Sequence, residues 1–239
     1  MIRDWIHHQD FHPTLMGAFV NPFYFARGGL ARQLSRLGPA VRGRTLDVGC
    51  GRKPYEGFFR SSQYVGLEVD SPESRRAGRA DVFYDGKRFP FEDASFDSLV
   101  ATEVLEHVFR PAEFLSEAGR VLKGGGALLL SVPFVWDEHG QPWDFARYTS
   151  FGLRYLLEEA GFEVLEVSKT VADVRALFQL VIGYLYKKTV TRSGWFNRLT
   201  TLFLMAPLNL AGEALAFFLP GNEDLYLDNV VLARKRGTP

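Results

Sequence analysis

The sequence predicts an α/β fold, a mostly parallel seven-stranded sheet with helices on both faces. Three observations carry this reading. From Arg44 onward, short apolar runs alternate with helical stretches. Those runs are apolar throughout, as strands covered on both faces require, instead of alternating as half-exposed strands do. The first run ends in Gly49-Cys50-Gly51, and glycines there let the backbone approach a ligand at the carboxyl edge of such a sheet.

Residues 1–43 read as an N-terminal helical cover interrupted by Pro13, Pro22 and Gly28-Gly29. The strands are expected at 44–49, 64–69, 80–84, 96–101, 126–132, 162–167 and 226–233. A helix is expected over 104–122. Another over 151–160 is stopped by Gly161, a residue suited to the left-handed conformation at a helix end. A core of 44–170 is thus followed by an apolar helical insertion over 171–222 and by the last strand with a basic tail over 223–239. At 239 residues the chain fits one large domain carrying an insertion.

Lys and Arg number 28, as do Asp and Glu, so no whole-protein field draws nucleic acid, and no nucleic-acid partner is expected. The single cysteine, Cys50, excludes an intramolecular disulfide framework and points to a reducing cytoplasm. The start of the chain shows no signal-peptide pattern, and no charge-free apolar stretch reads as a simple membrane span. His7, His8 and His12 read as a polar arm or substrate lid. No metal-ligand cluster is evident, and no metal is expected.

Gly49 and Gly51 are followed by Arg52-Lys53-Pro54, so the third glycine of a dinucleotide loop is missing, which argues against NAD. The loop suits a ligand without a pyrophosphate. Glu68 closes the second strand, where a carboxylate accepts hydrogen bonds from both hydroxyls of a ribose. Asp70, two residues on, competes for that role.

These segments resemble those of class I S-adenosylmethionine-dependent methyltransferases, a Rossmann-like family. Leu46-Asp47-Val48-Gly49-Cys50-Gly51 resembles its first motif, and Gly66–Ser71 the segment that follows. Asp85–Asp97 resembles its acidic-LPF-FD segment, Thr102–Val108 its vLEH segment and Arg120–Gly126 its RvLkpGG turn. The resemblance implies S-adenosylmethionine as cofactor. Asp47, Gly49 and Gly51 would surround the methionine part, with Thr102 and Glu103 near it. Glu68 would hold the ribose, and Asp85 with Gly86 the adenine. Lys53-Pro54 replaces small residues common in the family, and Glu68 stands where aspartate is commoner.

The segment after the fifth strand, Val132–Thr149, mixes aromatics with polar groups suited to stacking a ring and binding hydroxyls. His139 reads as a general base for a hydroxyl acceptor, with Asp144 as its orienter or rival. Trp136, Trp143, Arg147, Tyr148 and His107 are candidate substrate contacts. Arg147 and Tyr148 serve equally well as internal braces of the loop, and His107 as a packing residue. The segment resembles one in methyltransferases of bacterial cell-envelope polysaccharide gene clusters, which implies a small or lipid-linked acceptor, a glycan among them. A quinone or other small aromatic is the alternative acceptor. A non-catalytic scaffold binding a partner through 171–222 is the alternative from another class. The insertion, with Trp195 among Lys187, Lys188, Arg192 and Arg198, reads either as a subdomain or homodimer face, or as a peripheral contact with the inner face of the membrane.

Overall fold

The computed structural model describes residues 2–237. The chain runs α1 (Ile2–Phe11), α2 (Tyr24–Leu37), β1 (Arg42–Val48), β2 (Arg60–Val69), α3 (Pro72–Ala77), β3 (Val82–Tyr84), β4 (Phe96–Thr102), α4 (Pro111–Val121), β5 (Leu122–Pro133), α5 (Ser150–Glu159), β6 (Phe162–Lys169), α6 (Arg175–Thr189), α7 (Gly194–Thr200), α8 (Ala206–Phe218) and β7 (Asp228–Lys235).

The seven strands form one sheet in the order β3-β2-β1-β4-β5-β7-β6. The pairs β1/β2, β1/β4, β2/β3 and β4/β5 are parallel. β7 is antiparallel to its neighbours. Against β6, Arg236 N donates to Gly161 O at one end, while at the other Thr170 N donates to Asp228 O and Leu227 N to Thr170 O. Against β5, Val135 N donates to Leu227 O and Lys235 Nζ reaches Leu122 O. β1 has β2 on one side and β4 on the other, so the strand order reverses there. The crevice for a ligand in an open sheet of this kind lies at the carboxyl ends of those strands. Leu46, Val48, Leu67, Leu99, Leu128 and Leu130 are fully or almost fully buried beneath it. Their burial contributes roughly 1.5–3 kcal/mol each relative to exposure.

Two boundaries differ from expectation. The helix expected over 104–122 begins only at Pro111, because a proline is accommodated in a first helical turn but disfavours helix in the residue before it. Residues Leu105–His107 form a separate 3-10 turn, which places Glu106 and His107 above the end of β4 instead of along a helix. β5 begins at Leu122, earlier than expected, and its pairing with β4 shifts register between Phe96 and Ser98, at the glycine run.

Contacts divide the chain into two compact units. One, from Gln33 to Phe134, Glu138 to Ser168 and Asn229 onward, contains most of the sheet. The other gathers the chain up to Arg32, Val135–Asp137 and Lys169–Asp228. The N-terminal cover and the apolar insertion, distant in sequence, thus share one helical body. Tyr24, Phe25, Ile182 and Met205 form its centre. Buried amides lock the two segments together. Gln179 Oε1 accepts from Phe25 N and Ala26 N, both at 3.1 Å, and its Nε2 donates to Pro22 O. Asn209 Nδ2 donates to Ala18 O at 2.8 Å.

Pro207 does not break the insertion's second apolar stretch. A π-helical turn, Thr201–Met205, carries α7 directly into α8, with the proline in the first turn of α8. Such a wide turn relieves the ladder position that proline cannot fill. Gly194–Phe218 is therefore one helix of 25 residues, long and apolar enough to cross a membrane, with 28% of its apolar window buried. It carries Arg198 and Glu213, so it is not a charge-free stretch.

Candidate active site

β1 delivers the chain to a loop in which Gly49 has φ +70° and Gly51 φ +50°, conformations that favour glycine. At Gly49 the constraint is also steric, since a Cβ would lie 2.5 Å from Val104 Cγ2. Gly51 N donates to Glu68 Oε1 at 2.7 Å, so the acid that ends β2 holds the loop that ends β1. Asp47, paired in register with Gly66 and Val100, is only 5% exposed. Tyr64 OH donates to its Oδ2 at 2.7 Å. Burial pushes the Asp47 carboxyl up to about 7, the Tyr64 bond opposes this and the charge of Glu68 adds to it. Burial raises Glu68 as well, against the hydrogen bonds of Gly51 and Val69. Two carboxylates resisting ionisation at adjacent strand ends make a site that a cationic ligand would stabilise. Cys50, buried beside them, has its thiol pushed up to about 12, first by burial and then by Asp47, so it is no nucleophile.

Asp70 does not share this site. It is exposed, lies beyond the end of β2 and is held by Arg75 through two bonds of 2.6 and 2.7 Å. Asp85 stands exposed after β3, where its Oδ1 accepts from Lys87 N at 3.0 Å and Gly86 follows at φ +81°. Thr102 ends β4 opposite Ser131. Glu103 adopts φ +54°, a conformation costing a non-glycine residue on the order of 1–3 kcal/mol. Ser131 holds it there, accepting Glu103 N through both O and Oγ at 3.1 Å and donating Oγ to Glu103 Oε1 at 2.7 Å.

The turn after β4 carries a second cluster. Val104 packs against Gly49, and two residues on Glu106 is fully buried. The segment after β5 folds back on this turn: Phe145 N donates to Glu106 O at 2.8 Å, and His107 Nδ1 lies 2.5 Å from Trp143 O. This brings His139 beside His107, with ring centroids 4.8 Å apart at 77°. Nε2 of each histidine lies 3.8 Å from the same Glu106 oxygen, Oε1. Asp144 accepts His139 N at 2.8 Å and receives Arg147 through bonds of 2.6 and 2.8 Å. Arg147's hydrogen bonds hold Asp144 far below the usual carboxylate range, with burial opposing. Asp144 therefore has little affinity for a proton, and its oxygens are occupied by Arg147 and the His139 amide, which suits an orienter better than a rival base. Tyr148 completes the group: burial and the Glu106 charge both raise its phenol.

Arg147 is thus a brace of the loop through Asp144, and Tyr148 is tied to the sheet, its O accepting from Asn229 Nδ2. Trp143, 64% exposed, lies near Phe145, with ring centroids 6.4 Å apart, and Phe145 contacts Phe109. Trp136 belongs to the helical unit, where its ring lies 6.0 Å from Phe23, while the neighbouring Asp137 pairs with Lys187. His8 and His12 also stand in that unit, rings 5.1 Å apart on and just after α1, so these two are part of a folded element and not of a loose arm. The side chain of His7 lies outside the described residues.

The residue that sequence reasoning missed is Glu106. Its signal was an acid adjacent to a histidine in a largely apolar segment, but a helix over 104–122 would have given it no reason to be buried. No metal-ligand spacing stands out in the sequence, but the fold brings one ligand atom each from Glu106, His107 and His139 within 4.8 Å of one another. His139 comes from a segment 32 positions away in sequence, so no local spacing betrays the group.

A family model described as a methyltransferase domain matches residues 23–167. A Mycolicibacterium smegmatis protein named "Probable S-adenosylmethionine-dependent methyltransferase" is 31% identical over 169 residues, covering 63% of each chain. An O-methyltransferase of Penicillium expansum is 28% identical over 166 residues, covering 59% of each. The match thus spans less than two thirds of these relatives. Among solved structures, phosphoethanolamine N-methyltransferase 2 of Haemonchus contortus, in complex with phosphomonomethylethanolamine and S-adenosylhomocysteine, aligns with a TM-score of 0.55 at 18% identity. That alignment covers 96% of this chain and 60% of the other. The [4+2]-cyclase SpnF aligns with a TM-score of 0.55 at 23% identity, covering 87% and 80%. At these identities the structures show the shared fold.

Proposed function

Because the chain belongs to the methyltransferase-domain family, we propose that it uses S-adenosylmethionine to methylate a hydroxyl of a small or lipid-linked acceptor, with glycans as the class to test first. The observation that carries this is the pair of clusters on adjoining loops: a buried anionic site at the ends of β1 and β2, and a carboxylate–histidine group on the turn after β4.

When bound, S-adenosylmethionine supplies a methyl group on a sulfonium cation. Asp47, Gly49 and Gly51, with Thr102 and Glu103, are assigned to its methionine end, Glu68 to the ribose, and Asp85 with Gly86 to the adenine. The buried carboxylates suit the cation, and the glycines leave room for it. Glu106, His107 and His139, oriented through Trp143 O and Asp144, take the acceptor hydroxyl and handle its proton. Trp143, Phe145 and Phe109 offer an exposed aromatic rim for an apolar or ring-bearing part of the acceptor. That rim also supports the alternative of a quinone or other small aromatic alcohol.

The helix Gly194–Phe218 supports a peripheral membrane contact that would suit a lipid-linked acceptor. Phe203 and Phe217 are 74% and 84% exposed, an arrangement in which apolar side chains dip into a lipid interface. Asn209, buried on the same helix with its Nδ2 donating to Ala18 O, favours a helix lying in the interface over one crossing it.

The test is transfer of labelled methyl from S-adenosylmethionine to a panel of glycans, lipid-linked sugars and quinones. Labelling of a glycan or lipid-linked sugar supports the first reading, and labelling of quinones alone supports the second. With cofactor binding intact, no labelling across the panel would point to a binding role. Sedimentation with anionic vesicles tests the membrane contact. The wild type should bind at low salt and the double variant Phe203→Asp/Phe217→Asp at least tenfold less; no wild-type binding would overturn it.

A further inference from the structure

We infer that Glu106, His107 and His139 form a binding site for one divalent transition-metal ion. Two imidazoles and one carboxylate are a donor set that selects zinc-like cations over magnesium or calcium, which prefer oxygen alone. Three protein ligands leave coordination positions open for an exogenous oxygen, as in catalytic sites and not in closed structural ones.

The arrangement of hydrogen bonds points the same way. His107 Nδ1 faces Trp143 O at 2.5 Å. A carbonyl oxygen only accepts, so Nδ1 carries the proton and the neutral ring presents a bare lone pair at Nε2. That lone pair faces Glu106 Oε1 at 3.8 Å, another acceptor. Nε2 of His139 meets the same oxygen at the same 3.8 Å, with the Nδ1 side of its ring 3.5 Å from Asp144 Oδ2. Arg147 Nη2 donates to Asp144 at 2.8 Å and lies 3.4 Å from the same Nδ1, so that nitrogen is shared between a donor and a carboxylate. Metal-ligating histidines usually donate their second ring N–H to a carbonyl or carboxylate, the arrangement of His107 with Trp143 O. A cation placed between the His107 lone pair and the Glu106 carboxylate is attracted by both.

The distances suit it. Metal bonds of about 2.1 Å meeting at a tetrahedral angle place ligand atoms about 3.4 Å apart, and wider angles extend this to about 4.2 Å. The two histidine–carboxylate separations of 3.8 Å already lie in that range. The whole set, within 4.8 Å, needs a contraction of about 0.6 Å for the widest angle and about 1.4 Å for a tetrahedral one. Glu106 is fully buried while the two histidine side chains are 30% and 33% exposed, so the site is open from the histidine side. Gly140, at φ +60°, is where the loop closes over His107: a Cβ there would lie 3.0 Å from His107 Cε1.

The consequence for chemistry rests on the proposed methyl transfer to a hydroxyl. A hydroxyl oxygen bound at an open position loses its proton to water more readily, as metal-bound water does. In the loaded protein His139 is then a ligand, and the ion takes over activation of the hydroxyl from the imidazole.

The experiment is titration of Co²⁺ alone into the full chain stripped with a chelator, read by visible absorption and by calorimetry. S-adenosylhomocysteine binding is measured in parallel as a readout of the fold and cofactor site. One Co²⁺ per chain is expected, displaced by Zn²⁺. Affinity should fall at least tenfold in His107→Ala, His139→Ala and Glu106→Gln, with S-adenosylhomocysteine affinity retained in His139→Ala. Absence of saturable Co²⁺ binding in protein that still binds S-adenosylhomocysteine would overturn the site, as would binding unchanged in His139→Ala. Co²⁺ binding without any S-adenosylhomocysteine binding would uphold the ion site while removing the methyltransferase reading.

Discussion

Asp47→Asn isolates the buried acid at the end of β1. The substitution keeps size and leaves an oxygen for the Tyr64 hydroxyl, which donates to Asp47 at 2.7 Å, but it removes the titration. Asp47 is raised from an ordinary 3.8 to about 7, mainly by burial. A carboxyl whose folded-state pKa lies above its unfolded value supports the fold while protonated. Its contribution is full below about pH 4 and is lost as pH rises through about 7. At about 1.4 kcal/mol per tenfold change in acidity, the displacement corresponds to a penalty of at most about 4 kcal/mol in the wild type at about pH 8. Relaxation of the site, with Lys53 among its neighbours, reduces this to about 2–4 kcal/mol. The assay is urea unfolding of both proteins, without cofactor, from about pH 4 to about pH 8. The stability difference should be small at the acid end and grow in favour of the variant by about 2–4 kcal/mol at the alkaline end. A difference independent of pH would refute the assignment, as would one growing in favour of the wild type. The gain should come with a loss: S-adenosylmethionine affinity should be lower in the variant, most clearly above about pH 7, where wild-type Asp47 is ionised.

Three other outcomes follow. Gly49→Ala should destabilise by about 2–4 kcal/mol, combining left-handed strain with the clash on Val104; thermal unfolding measures this, and adding Val104→Ala should restore the steric part only. Asn209→Ala, which removes the bond to Ala18 O, should cost about 1–3 kcal/mol in the helical unit, seen as faster hydrogen exchange across α8 and residues 15–19. Asp144→Asn should leave S-adenosylhomocysteine binding unchanged while methyl transfer to any acceptor found falls about 10–100-fold, since Asp144 only positions His139.

The sheet was readable from the apolar stretches at its centre, such as Leu99-Val100-Ala101 in β4 and Ala127-Leu128-Leu129-Leu130 in β5, although β2 and β6 carry polar residues along their length. The loop at Gly49 and Gly51 was readable because glycine is needed where φ turns positive. Glu68 was separable from Asp70 only in three dimensions, where Arg75 claims the latter. Glu106 was hidden because 104–122 reads as one helix, whereas Leu105–His107 form a separate turn and the helix begins only at Pro111. The union of the N-terminal segment with the insertion left no local trace. It rests on bonds such as that of Gln179 to Phe25, 154 positions apart. Pro207 misled for a similar reason: the π turn that absorbs it depends on packing, and no residue pattern announces it.

The central claim, that the loops after β1 and β2 bind S-adenosylmethionine, is tested most directly by calorimetric titration with S-adenosylhomocysteine of the wild type and Glu68→Ala. The account predicts saturable one-to-one binding in the micromolar range for the wild type and a loss of at least tenfold in the variant, with its far-ultraviolet circular dichroism unchanged. Wild-type protein that is folded yet binds no S-adenosylhomocysteine would contradict it, as would a Glu68→Ala variant that binds as tightly as the wild type.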